Sequence, residues 1–429
     1  MRRTKGVLGL EVRRNLPLLL MICFLSQMGG FMILPLFPLF MEEFGLSGWT
    51  LGVIFALFYV GKVIGGVPAA ALYRKLGGKR ALILMLAALA LCMGGFAVSK
   101  SAILFGLLRL LQGLASSGLT VVVRSIIGDG GSVENRGLYN GYISSSEGGG
   151  MILGPVISGW LAIHWPLSVP FLLVALCCLI AVVTAMGIKT SAQNLPASLP
   201  IASRTVKNDH NNQNQQKHAN APAAPTTESI QANSLPVTMT MKQQLIGYIT
   251  VHVLEMSAYA VFLTYFALYA TQVMQWDAFS ASLAFTVAGI STFAAAPVVG
   301  RLSDRMGDRL LLCMLGMFLI GVEVLVFLST SSHIWVYIGM FIGGIGGACY
   351  MDSFFAHIGD HTPEEQRSPV IGQIVSAAEI GSIASPLIAA LLMEAGSLYT
   401  VFIFNLLLIA AAIAVQAVMR SRYRVRTKK

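Results

Sequence analysis

Apolar residues in this chain fall in unbroken runs of about 20 rather than in the alternation of a half-buried strand, and a helix of that length crosses about 30 Å of hydrocarbon. The runs place spans at 17–40, 50–72, 81–98, 102–124, 138–162, 167–188, 244–272, 279–300, 310–329, 333–357, 369–393 and 397–418. Six spans, a long gap and six more predict an all-α polytopic membrane protein with twelve transmembrane helices. The first run exceeds a signal-peptide core and leads into Glu42 and Glu43 without a small-residue cleavage site, so it reads as a retained span. Between the halves, residues 189–243 hold an amide-rich stretch from Asn211 to Gln216 and scattered Pro and Ala, too few apolar residues to build a core. The expected organisation is an N-terminal segment 1–16, a six-helix bundle 17–188, a linker 189–243, a second bundle 244–418 and a basic tail 419–429.

Composition agrees with a lipid solvent. Hydrophobic residues make up 55% of the chain and charged ones 11%, against roughly a quarter charged in a soluble domain. Lysine and arginine are distributed unevenly. Arg2, Arg3, Lys5, Arg13, Arg14, Arg74, Lys75, Lys79, Arg80, Arg301, Arg305, Arg309 and the tail from Arg420 fall on one side, and only Lys100 on the other. The positive-inside rule then puts both termini in the cytoplasm; the membrane expected is the plasma (cell inner) membrane. This asymmetry accounts for the net charge of +10, and no nucleic-acid partner is needed to explain it. All six cysteines lie within spans without metal-ligand spacing and read as small apolar packing residues.

The two halves repeat. Ile127 to Gly141 aligns without gaps on Ile358 to Gly372, setting Asp129 on Asp360, Glu134 on Glu365 and Arg136 on Arg367. The same offset carries Gly154-Pro155 onto Ser385-Pro386, and ALYRKLGGKR from Ala71 aligns on RLSDRMGDRL from Arg301. A repeat of six spans gives two bundles of the same orientation, related by an axis along the membrane normal, with a cavity between them.

Three motifs carry a resemblance. Gly300 to Arg309 reads GRLSDRMGDR, containing Gly300, Asp304, Arg305, Gly307 and Arg309 at the spacing G-x-L-x-D-R-x-G-x-R. Its N-terminal copy from Ala70 departs, with Ala70 for the first glycine and Arg74 for the acidic residue. Span four holds RLLQGLASSG from Arg109, an R-x-x-Q-G pattern, and span five holds GMILGPVISG, with Gly150, Gly154, Pro155 and Gly159. On these residues the chain resembles the major facilitator superfamily and, within it, the twelve-span drug:proton antiporters. That resemblance implies two pseudo-symmetric six-helix bundles, a small-molecule substrate, a proton gradient as energy source with no cofactor, and a monomer in the bilayer. It associates the span-five motif with antiport.

Intramembrane charges are costly and point to function by default. Arg109 sits about a third of the way into span four, where it is expected to face a carboxylate, a carbonyl or water, with Gln112 one turn on. Asp304 and its neighbouring arginines are expected to clamp one bundle on the other in one conformational state. Lys62, Glu147, Glu255, Glu323, Asp352 and Glu379 complete the set. Counting from the cytoplasmic ends, Glu147, Glu255 and Glu379 lie about ten residues deep, roughly 15 Å. Facing one cavity they would form a coupled set whose burial and repulsion favour proton uptake, although pairing with Arg109 or Lys62 is the competing structural role. Lys62 suits an anionic substrate group, the carboxylates a cationic one. Phe24, Phe55, Tyr59, Tyr259, Phe262 and Tyr265 are candidate apolar lining.

Two further patterns fail on context. GGIGGA at Gly343 lies inside an apolar span with no preceding strand, so helix packing is the expectation. His357 and His361 have metal-ligand spacing but no convincing third ligand, so no metal is assigned. Without a G-x-x-x-x-G-K-[ST] loop, ATP-driven transport by this chain alone is excluded. Proton-coupled export of drugs or a metabolite such as a siderophore leads, uptake of a nutrient by symport is the alternative, and an enzyme finds no nucleophile with a base or metal.

Overall fold

The computed structural model describes residues 2–130, 136–188 and 241–424. The linker from 189 to 240, Glu134 of the repeat and the tail from 425 onward lie outside them.

The first half comprises α1 (Arg2–Ile33), the short α2 (Phe37–Glu42), α3 (Gly48–Leu76), α4 (Gly78–Val98), α5 (Ala102–Gly130), α6 (Arg136–His164) and α7 (Ser168–Met186). The second comprises α8 (Met241–Leu268), which runs on into a π-turn at Tyr269–Val273, then α9 (Ala278–Met306), α10 (Arg309–Ser329), α11 (His333–His361), α12 (Glu364–Ala395) and α13 (Leu398–Arg424). Each predicted span lies on a helix of its own, with one difference. The run at 17–40 is not a single helix but breaks at 34–36, where Pro35 lacks a backbone donor and disfavours helical Leu34. Apolarity continues through the break, which is why hydropathy missed it. Several helices overrun their apolar runs, α1 beginning at Arg2 and α12 at Glu364, whereas α7 ends short of its run at Met186.

Among the described residues, eleven helices are long and apolar enough to cross a membrane by length and composition. The exception among the long helices is α6, whose 29 residues include Ser144, Ser145, Ser146, Glu147 and three consecutive glycines. Its polarity has a structural reason: α6 packs on α1 of its own bundle and on α9 of the other.

Packing reproduces the sequence repeat. In the first bundle α1 lies on α6, α3 on α5 and α4 on α7; in the second α8 lies on α12, α9 on α11 and α10 on α13. The seam between bundles is symmetric too, formed by α6 against α9 and by α12 against α3. Small residues permit these approaches. A Cβ on Gly150 would meet Phe24 O and Met28 N of α1 at 2.6 Å, and one on Gly381, its counterpart, would meet Val253 O of α8 at 2.6 Å. The glycines of the 343–348 stretch serve in the same way: Gly344 abuts Ala288 on α9 and Gly346 abuts Gly316 on α10, as helix packing requires.

Polar contacts that join the bundles include Glu42 with Gln272, Trp49 N to Glu394 Oε1 at 2.7 Å, Thr286 Oγ1 to Ile152 O at 3.1 Å, and Lys62 with Glu379. All four lie between the middle of these helices and the end remote from the two chain termini. Toward the termini, Val67 on α3 and Val298 on α9 are exposed.

Candidate functional site

Inside the second bundle, reaching the seam, is a cavity of about 390 Å³. Apolar side chains make most of its wall: Phe31 and Met151 from the first bundle, Met256, Tyr259, Phe262 and Phe285 from the second. Three carboxylates line it, Glu255 on α8, Glu323 on α10 and Asp352 on α11. No lysine or arginine is among its described lining residues. A pocket that is apolar with a few polar anchors is the usual form of a small-molecule site, and here every charged anchor is acidic.

Glu323 is 7% exposed and Glu255 9% exposed. The Glu323 carboxylate lies against Gly343, whose missing side chain leaves it room. Glu255 Oε2 stands 3.2 Å from His252 Nδ1, within ion-pairing distance but off hydrogen-bond geometry, and His252 Nδ1 is also 3.2 Å from Tyr350 Oη. Tyr259 and Phe262, expected as lining, are in this wall. Tyr265 instead donates to Pro386 O at 2.9 Å, and Phe55 packs edge-on to Phe37 at 5.5 Å.

The structure does not gather Glu147, Glu255 and Glu379 into one site. Equal depth fixes height along a helix but not the direction a side chain takes around it, and these three point to different places. Glu379 is ion-paired with Lys62 Nζ at 2.8 Å across the α3–α12 seam. Glu147 lies 3.9 Å from Arg124 in a pocket of about 20 Å³ within the first bundle. Only Glu255 reaches the large cavity. Its companions there, Glu323 and Asp352, belong to the same set of intramembrane charges but not to the same depth; the cost of placing a carboxylate in a span is the sequence signal that marks them.

Arg109 also differs from expectation. It is 3% exposed, and its Nη1 donates to Gln112 Oε1 at 3.0 Å, joining the two residues of the span-four motif. In place of a carboxylate, its guanidinium lies 3.5 Å from the centre of the Phe37 ring and 4.7 Å from that of Phe55, with Phe58 and Phe96 beyond. Aromatic faces attract a cation through their quadrupole, most strongly when water is absent. Nε and Nη2 have no hydrogen-bond partner among the described residues.

The span-five motif is divided between two neighbours. Gly150 and Gly154 face the backbone of α1, whereas Gly159 faces Ser282 and Phe279 of α9 across the seam. Pro155 carries no N–H, so the Met151 carbonyl loses its intrahelical donor beside Gly289 of α9. The loop motif closes within its own bundle. Arg309 pairs with Asp304 at 3.1 Å and with Asp360 at 2.7 Å, so it ties α9 to α11. Asp304 therefore does not clamp one bundle on the other here. Gly307 ends α9 at φ +66°, a left-handed cap suited to glycine, while Gly300 and Arg305 are at the surface turn of α9. The His357 and His361 rings lie 4.1 Å apart, tilted by 38°, and no described group of three or more His, Cys, Asp or Glu could hold a metal ion.

Comparison with known proteins places this architecture. The major facilitator superfamily profile matches residues 19–342 and 249–429. Tetracycline resistance protein class B of Escherichia coli is 26% identical over 383 residues, covering 87% of each chain. The class H protein of Pasteurella multocida is 22% identical over 88% of this chain and 89% of its own. Multidrug resistance protein 2 of Bacillus subtilis is 27% identical over 192 residues, where the match spans about half of either chain, 45% and 48%. Among solved structures, the nucleoside transporter NupG superposes with TM-score 0.67 at 12% identity over 95% of this chain and 99% of that one. A bacterial homologue of the human lysosomal transporter Spinster, inward-facing and occupied, superposes with TM-score 0.66 at 13% identity over 96% of each. Two repeated six-helix bundles, a cavity at their seam and a family match across both halves lead to one conclusion: the chain is an integral membrane transporter of the major facilitator superfamily.

Proposed function

We propose that this transporter is a proton-coupled exporter of cationic, amphiphilic small molecules, working in the plasma (cell inner) membrane with both termini in the cytoplasm. The observation that carries the reading is the acidic, largely apolar cavity of about 390 Å³ with no basic residue in its described lining. An ionised carboxylate isolated in such surroundings is costly. A bound proton or a bound organic cation each removes that cost, and either one displaces the other. Exchange of the two follows from their sharing one site, with Glu255 as the residue held in common. The Lys62 ammonium is already engaged by Glu379, which weighs against an anionic substrate.

Lysine and arginine placement supports the orientation. In it the seam contacts lie toward the outer face, an arrangement suited to admitting substrate from the cytoplasm. Relatives named for tetracycline and multidrug resistance support export. The test is purified protein in proteoliposomes under an imposed pH gradient, with ethidium as the probe. Antiport drives ethidium against the inward proton flow, and Glu255→Gln uncouples that movement. Accumulation in the direction of proton flow identifies symport instead, and unchanged proton-driven transport in Glu255→Gln removes the carboxylate mechanism.

A further inference from the structure

The three carboxylates of the cavity are not equivalent. Glu323 rests against Gly343 on α11, and Asp352 lies nine residues further along the same helix, a distance of about 14 Å along its axis. Glu255 belongs to the Asp352 end, because His252 links it to Tyr350, two residues before Asp352. The cavity therefore has one acidic end formed by Glu255 and Asp352 and another formed by Glu323 alone. Between them α11 presents Gly347, where a Cβ would meet nothing within 4 Å, and the small Ala348. Glu323 is 93% buried by its 7% exposure, lines the cavity, and has neither cation nor hydrogen-bond donor among the described residues.

We infer that Glu323 is a second cation-binding point and that the site is built for elongated dications with a positive group at each end. Resting on the cationic reading proposed above, the inference adds to it a substrate class. A monocation satisfies one end and leaves the other carboxylate uncompensated. A dication of matching length satisfies both, and its second contact forms at the high effective concentration set by the first.

The experiment compares decamethonium with decyltrimethylammonium, which carries the same chain and one charge, as competitors of ethidium binding to the purified full-length protein. Wild type is expected to bind decamethonium at least about tenfold more tightly, and Glu323→Gln to abolish that advantage. Glu323→Asp restores part of the advantage. Gly343→Ala, which places a methyl group where the Glu323 carboxylate rests, lowers it without removing charge. Equal affinity of wild type for the two ligands, or an undiminished advantage in Glu323→Gln, overturns the inference while leaving a monocation site intact. Binding of neither ligand to wild type overturns the cationic reading and this inference together.

Discussion

Lys62 on α3 and Glu379 on α12 meet at 2.8 Å, so this ion pair joins the two repeats rather than bracing either one. Its side chains are 29% and 14% exposed, so each ion has lost most of its hydration and depends on the other. Removing one partner strands a charge in the seam. Lys62→Met or Glu379→Gln alone should lower stability by about 1–3 kcal/mol, below the 3–5 kcal/mol of a fully buried pair. The double variant should recover much of that loss. Thermal unfolding of the four proteins in a double-mutant cycle measures the coupling, and strict additivity would show that the pair contributes nothing.

The span-five glycines make a second prediction. Gly150→Ala drives a methyl group to within 2.6 Å of backbone atoms on α1, which no side-chain adjustment relieves, and overpacking of this kind costs about 1–3 kcal/mol. A Cβ on Gly300 meets nothing within 4 Å, so Gly300→Ala should stabilise by about 0.5–1 kcal/mol through reduced chain entropy. Equal thermal stability of the two variants would contradict the close α1–α6 packing. Loss of transport in a stabilised Gly300→Ala would locate the role of that glycine in conformational change.

Asp277 caps α9, accepting from Ser280 N at 2.8 Å and Ser280 Oγ at 3.1 Å. Partial burial works against its charge, but the hydrogen bonds from Ser280 prevail and hold the carboxyl below its ordinary value of 3.8. A carboxyl depressed in the folded state adds stability above its unfolded pKa and loses it as pH falls through the folded one. Asp277→Ala should therefore cost about 1 kcal/mol near neutral pH. That difference should shrink in acid below the usual aspartate range. A difference that does not vary with pH would remove the charged cap.

Much of the fold was legible because hydrophobic length and internal repetition act along the chain. The offset that set Gly154-Pro155 on Ser385-Pro386 also relates α1–α6 packing to α8–α12 packing. The break at Pro35 was hidden because hydropathy does not sense a missing backbone donor. The site was less legible. Depth counting found Glu255 but grouped it with Glu147 and Glu379, whose partners Arg124 and Lys62 lie on other helices. Nothing in a single sequence gives the rotation of one helix against its neighbours, so Glu323 and Asp352 could be recognised as charges in a span but not as companions of Glu255. Arg109 held a similar surprise. Its cage includes Phe37, which the sequence assigned to an unbroken first span and the structure places on the separate helix α2.

The central claim is that proton and organic cation compete for the same acidic cavity. Its most direct measurement is proton release on adding ethidium to the purified protein in weakly buffered solution. The account predicts release of protons that saturates with ethidium binding and is lost in Glu255→Gln. Saturable ethidium binding without proton release, in wild type as in the variant, would contradict it.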